Sequence, residues 1–386
     1  MFNPADPGPD YELAWPPELF VAEANAVLAS RNHGWRDSAE VLLREAFAGD
    51  TPAEDLRTVR WSDIPPEMHD PDCEPDDVLD DDVLQRTFLL YLVSCAAQLP
   101  GPMATKPYWS VRNAPETAEG PTNDQKAAAR LQREWWQLVE DLRARGYLSR
   151  VAPERAGRPD GAASVLLDLE LEKRLGVADL WSMGGEGWTP DEFYSLVESI
   201  HDLIARPRQR AWDMSGEGRW CYMDFAPAPG RALYRWQVNQ LLARHAVGLQ
   251  LASDGEDVGR LVRATDDARE DLVERAQQSP DPGTRADVSH AIALFRGRTA
   301  TTADRRSAVI ALAGILERRQ RLLKRELFSQ DEDALFLIAN RFDLRHRAKS
   351  QQSDYDPIFL DWLFWWYLAT VELTDRLVAR QVDERP

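Results

Sequence analysis

Residues 339–366 read ANRFDLRHRAKSQQSDYDPIFLDWLFWW, and within that stretch Asn340, Arg341, Arg345, His346 and Arg347 are side chains of the kind that phosphodiester chemistry uses. An imidazole, with an ordinary pKa of about 6.5, can accept or deliver a proton at neutral pH. A guanidinium stays charged and planar, and suits a phosphorane that is gaining negative charge. Metal-free RNA cleavage needs these groups: the ribose 2′-hydroxyl attacks phosphorus, a base takes its proton, and an acid protonates the departing 5′-oxygen. On an unbroken helix five residues turn through about 140°. Arg341 and His346 therefore face one phosphate together only if the helix ends near Leu344 or if two subunits contribute. Arg341 and Arg345, four apart, share a face. The same residues also suit the polar end of a core helix. There the dipole favours Arg and His, and Asp354, Asp356 and Asp361 stand close enough in sequence to pair with them.

The elements that must position this cluster are helical. Over residues 279–386 the pattern predicts four helices: ADVSHAIALFRGR; a second from about 303 to 327 with Val309, Leu312, Ala313, Leu316, Leu323 and Leu327 on one stripe; a third opened by a Ser329/Glu332 capping box; and a fourth from Asp356-Pro357 to about 381. Four helices in about 100 residues with short connections predict a four-helix bundle. Residues 1–118 pair helical segments (DSAEVLLREAFA and DVLQRTFLLYLVSCAAQL) with the acidic loop DIPPEMHDPDCEPDD. Residues 119–278 read as a mixed α/β region, a candidate sensor. It holds a helix ended by Gly146, a helix over GWTPDEFYSLVESIHDLIARPRQR capped by Thr189, Pro190 and Glu192, and a strand RWCYMDF. A helix GRALYRWQVNQLLARH follows, then a hairpin turning at Asp254-Gly255. The fold class expected is mainly α with a minor α/β part.

The net charge of −19 and pI near 4.8 argue against bulk attraction to nucleic acid or anionic membranes. One block runs the other way. From Arg296 to Arg325 nine basic residues stand against Asp304 and Glu317, a local balance of +7. The helix over 303–326 thus reads either as a solvated face or as a local surface for RNA phosphates. The apolar run Ile358–Val371 is too short to span a bilayer, so no membrane role is expected. Three cysteines (Cys73, Cys95, Cys221) without a CxxC, and no visible secretory signal, point to the cytoplasm and to no structural zinc.

Other candidates read as structural. His69, Asp70, Asp72 and Cys73 sit in a Pro-rich loop with irregular spacing, which favours a solvated loop over a metal site. GGEG at 184–187 lacks the Gly-Lys-Ser/Thr of a phosphate loop. His201 and Asp202 are adjacent on a helix, point in different directions, and read as core. RPRQR at 206–210 is a small basic spot that contacts a ligand or simply ends its helix. No basic helix follows a tight turn as in DNA-binding regulators.

The Arg341-x4-His346 spacing on a four-helix bundle resembles the HEPN superfamily (higher eukaryotes and prokaryotes nucleotide-binding), whose active members cut RNA through an Arg-x4–6-His motif. The wider stretch IANRFDLRHR…DYDPIFLDWLFWWYLAT is similar to the C-terminal domain of abortive-infection proteins of bacterial phage defence. The resemblance covers about residues 285–386. It implies a metal-independent endoribonuclease needing no cofactor, active as a homodimer through the C-terminal bundle, and switched by a regulatory ligand or phage-derived trigger. In that picture His346 is the general acid or base and Arg341 the phosphorane stabiliser, while Asn340, Arg345 and Arg347 hold the phosphate. Phe342 stands where many active members carry a polar residue. The resemblance therefore also admits a non-catalytic module that dimerises or binds a nucleotide or protein.

Overall fold

A computed structural model describes residues 9–30, 34–65, 68, 81–101, 121–153, 162–185, 187–213, 219–255, 257–326 and 358–383. Among these residues the chain is mainly helical with two small antiparallel sheets. It divides into two compact units, Met1–Gln237 and Val238–Pro386. The division falls inside one helix, so the breaks expected after 118 and 278 lie within the units.

Unit 1 comprises α1 (Pro17–Ala29), α2 (Trp35–Ala46), α3 (Thr51–Thr58), α4 (Asp81–Cys95), α5 (Pro121–Ala144), α6 (Ala162–Leu175), α7 (Pro190–Leu203), β1 (Arg206–Asp213), β2 (Arg219–Ala226) and the first part of α8 (Pro227–Arg244). Local chemistry sets several boundaries. Proline at the start of α1, α3 and α7 loses no helical hydrogen bond, because the first N–H groups have no acceptor in any case. The Thr189 side chain accepts from the Glu192 N–H while the Glu192 carboxylate accepts from Thr189 N–H, the capping box the sequence predicts. α5 stops just before Gly146, whose φ of 85° and whose contact with Tyr222 both exclude a side chain: a Cβ there would lie 2.4 Å from the Tyr222 ring.

α7 is shorter than expected. It ends at Leu203, and RPRQR, read from sequence as the end of that helix, forms most of β1. Pro207 explains the change, since it supplies no N–H and drives Arg206 out of the α region. β1 pairs antiparallel with β2, Arg210 opposite Tyr222 and Trp212 opposite Trp220. The unit's aromatic core centres on Trp135, fully buried, with the rings of Trp181, Trp188 and Phe193 edge-on at 6.2, 5.7 and 5.5 Å.

Unit 2 holds the rest of α8, then β3 (Leu249–Leu251), β4 (Leu261–Arg263), α9 (Asp267–Gln277), α10 (Pro282–Arg296), α11 (Thr302–Arg318), α12 (Gln320–Glu326) and α13 (Ile358–Asp383). β3 and β4 make the expected hairpin, with Gly255 at φ 73° in the connection. α9 to α13 share one core that includes Val273, Ile292, Phe295, Leu312, Leu316, Leu363, Phe364 and Tyr367. Phe295 and Phe364 stack face to face at 3.8 Å. The helix expected from 303 to 327 is instead two, broken at Arg319, whose φ and ψ are −99° and 10°. The Arg319 guanidinium ties three helices together at that break, donating to Thr284 Oγ1 of α10 and to Val371 O, Thr374 Oγ1 and Asp375 of α13. Among the described residues no helix is long and apolar enough to cross a membrane.

Candidate functional site

Asn340, Arg341, Arg345, His346 and Arg347 lie outside the described residues, as do Ser329, Glu332, Asp354 and Asp356. What flanks them is described. α12 ends at Glu326, and α13 begins at Ile358 with its aromatic run divided between two environments. Phe364 and Tyr367 face the core, whereas Trp362 is 50% exposed and stacks on Trp366 at 5.3 Å. Ile358 and Phe359 are exposed beside it.

The basic stretch 296–325 is not one open cationic face. Arg296 is buried and bonds Glu270 at 2.8 Å, Arg319 reaches Asp375 at 2.6 Å, Arg325 meets Glu326 at 3.0 Å, and Arg318 pairs with Asp287. Arg305 lies over the Phe295 ring. Much of the local +7 is thus neutralised, three of the four pairs being made by carboxylates distant in sequence. A screened surface pair contributes little to stability, but it does occupy a cation that would otherwise attract phosphate.

Unit 2 has a second Arg-x4-His spacing, Arg285 to His290, on the unbroken helix α10. Arg285 donates from Nε and Nη2 to the Ser279 carbonyl, and His290 is exposed. This is the divergence that five residues of helix dictate. His201 is buried, as expected of a core residue, but it does not point away from Asp202: Nδ1 lies 3.2 Å from Asp202 Oδ1. Arg235 Nη1 donates to Nε2 at 3.0 Å, which leaves Nδ1 as the N–H that donates to Asp202. Burial pushes the imidazole down to about 4, so it is neutral at physiological pH. Among the described residues no cluster of His, Cys, Asp and Glu can hold a metal; His69, Asp70, Asp72 and Cys73 lie outside them.

A cleft of about 310 Å³ in unit 1 has a composition unlike the acidic whole. α2 contributes Asp37, Arg44 and Glu45, the turn after α5 contributes Arg145, β1 contributes Arg208 and Arg210, and β2 contributes Tyr222. Four arginines face two carboxylates. A second cleft of about 210 Å³ shares Ala144 and Tyr222 with the first and includes Arg143, Ser149 and Trp220. The two adjoin at these shared residues.

Strand alternation builds this surface. Arg208, Arg210 and Trp212 are two apart on β1, and Trp220 and Tyr222 are two apart on β2, so all five belong to one face of the hairpin. The Arg210 guanidinium sits 4.2 Å from the centre of the Trp220 ring, and Trp212 meets Trp220 edge-on at 5.1 Å. Both tryptophans are exposed, Trp212 to 48% and Trp220 to 40%. Beneath the cleft lies an ionic lattice. Arg206, 1% exposed, donates to Glu23 at 2.7 Å and to Glu45 at 3.2 Å; Arg208 donates to Glu23 at 2.7 Å; and Tyr147 Oη donates to Glu45 at 3.1 Å. Burial raises the Glu45 carboxyl, opposed chiefly by Arg206. Burial also works against the Arg206 cation, but Glu45, Tyr147 and Glu23 outweigh it and the guanidinium stays charged. Ser38 Oγ donates to Arg208 O at 2.7 Å and fixes α2 to β1. RPRQR marks the place in the sequence but not the platform. Its visible signal was the period-2 recurrence of Arg, Arg and Trp from 208 to 212.

Comparison with protein-family models, with curated proteins and with solved structures finds no match to this chain.

Proposed function

We propose that the protein is an effector of the abortive-infection kind, whose C-terminal HEPN-like bundle cleaves RNA without a metal. The observation that carries this reading is the shared core of α10 to α13: in sequence Arg341 and His346 fall between α12, which ends at Glu326, and α13, which begins at Ile358, and both helices pack into that core. His346 takes the proton of the 2′-hydroxyl or delivers one to the 5′-oxygen, Arg341 holds the phosphorane, and Asn340, Arg345 and Arg347 position the phosphate. The 2′-oxygen bonds phosphorus and the bond to the 5′-oxygen breaks, giving a cyclic phosphate and a free 5′-hydroxyl. The test compares wild type and His346→Ala on tRNA and mRNA in EDTA. The variant should lose about 10²–10⁴-fold in rate. Equal rates, or no cleavage by either protein under any trigger, overturn the assignment.

A second reading, a non-catalytic dimerisation module, is favoured by the exposed Trp362 on α13 and by the neutralised basic stretch. It predicts that wild type sediments as a dimer and that Trp362→Ser shifts it toward monomer while far-UV circular dichroism shows the fold retained. Identical sedimentation of the two proteins counts against it.

A further inference from the structure

We infer that the hairpin cleft of unit 1 is a nucleotide-binding site, taking phosphate at Arg145 and Arg210 and a base against Trp220. The inference is independent of the reading of unit 2, because every residue it uses lies before Gln237.

The charge points to an anion. In a chain of net charge −19, the cleft gathers Arg44, Arg145, Arg208 and Arg210 against Asp37 and Glu45. These arginines are not equivalent. Arg208 is occupied by Glu23, and Arg44 stands 3.6 Å from Glu40 and 3.7 Å from Asp50. Arg145 and Arg210 make no ion pair among the described residues, and both line the cleft. Arg145 is exposed and Arg210 half-buried. A ligand phosphate would receive N–H bonds from both without breaking an ion pair, while the charge of Arg145 also acts on Glu45 and Arg210 keeps its place on the Trp220 ring.

The aromatics narrow the class. A simple anion site has no use for two exposed tryptophans, yet Trp212 and Trp220 stand on the same hairpin face as the arginines. Arg210 holds one face of Trp220 by a cation–π contact and fixes the indole in place. Cationic groups interleaved with exposed indoles form the surface on which a nucleobase stacks while its phosphate is neutralised. The two adjoining clefts fit this division, the arginine-lined one for phosphate and the one beside Trp220 for the base. The nucleotide belongs either to a free mononucleotide or to a single strand of nucleic acid. Both present the same chemistry.

The experiment uses full-length protein and two fluorescent probes read by anisotropy, a mant-labelled nucleoside triphosphate and a labelled single-stranded RNA of about ten nucleotides. At least one should bind, and which one identifies the source. The double variant Arg145→Gln/Arg210→Gln should weaken that binding about tenfold or more and flatten its salt dependence. Trp220→Ala should weaken it about tenfold and leave the salt slope as in wild type. All three side chains are at least partly exposed, so melting temperatures should match wild type and separate lost binding from lost folding. Failure of both probes at millimolar concentration, or binding indifferent to both variants, overturns the inference. So does full competition by inorganic pyrophosphate together with indifference to Trp220→Ala, which would reduce the site to an anion pocket. Loss of binding in Arg341→Ala with retention in the double variant would move the site elsewhere and overturn it too.

Discussion

Replacing Arg206 with alanine will destabilise unit 1 by about 3–5 kcal/mol, the cost of removing one partner from a buried ion pair. Arg206 is almost wholly enclosed, faces two carboxylates, and covers the Trp15 ring at 5.2 Å. Without it Glu23 keeps Arg208, and Glu45 keeps the Tyr147 hydroxyl and the charge of Arg145. The pH dependence has a definite sign. Burial already holds the Glu45 carboxyl above its ordinary value, and Arg206 is the main force opposing that rise. In the variant the carboxyl rises further, so the folded state binds a proton that the unfolded chain releases. Such a group loses stability as pH rises through the window between its unfolded and folded pKa. The deficit of Arg206→Ala relative to wild type is therefore largest at neutral pH and narrows in mild acid. Urea unfolding of both proteins at the two pH values checks this, and a deficit that widens in acid would refute it. Arg206→Lys should recover only part of the loss, because one ammonium cannot reproduce the separate Nη1 and Nε bonds to Glu23 and Glu45.

Trp135→Ala should cost a similar amount, about 3–5 kcal/mol, by opening a cavity at the centre of the indole cluster. Three rings lose their edge-on partner, and the loss reaches beyond packing. Trp135 Nε1 donates to Tyr234 Oη at 2.9 Å, and that hydroxyl donates onward to Val197 O at 3.0 Å. Tyr234 is buried, and desolvation pushes its phenol far above the ordinary value, so it stays neutral and keeps donating. Trp135→Phe should retain most of the contact area and cost about 1–3 kcal/mol for the orphaned phenol oxygen. Near-UV circular dichroism during urea unfolding reports both changes. A Trp135→Phe variant as unstable as Trp135→Ala would show that the hydrogen bond, not the packing, dominates.

Features written in local chemistry were readable from the sequence. Thr189 and Glu192 announced a helix start, Gly146 a helix stop, Gly255 a hairpin, and Val309, Leu312 and Leu316 a buried stripe, because each depends on residues within a turn or two. RPRQR reads as helix because a strongly periodic helix runs straight into it and only Pro207 marks the change to a strand. Charge was harder still. Arg206 looked like a surface residue in a basic spot, yet it is buried because Glu23 and Glu45 meet it from far along the chain. Likewise Arg296 and Arg319 count toward a cationic face in the sequence, whereas in the fold Glu270 and Asp375 stand beside them. Hydropathy periodicity cannot register such pairings. The candidate catalytic residues Arg341 and His346 are carried by motif spacing and resemblance, and the hairpin platform by strand register.

The ionic lattice under the cleft also bears on how the chain folds as it is made. Arg206 reaches Glu23 across 183 positions and Glu45 across 161, while Tyr147 reaches Glu45 across 102. A nascent chain that has emerged only through α7 therefore carries two acids destined for the interior without the cation that neutralises them. The first half of the protein has to wait for β1 to leave the ribosome before it can close, which makes the order of synthesis a constraint on its assembly.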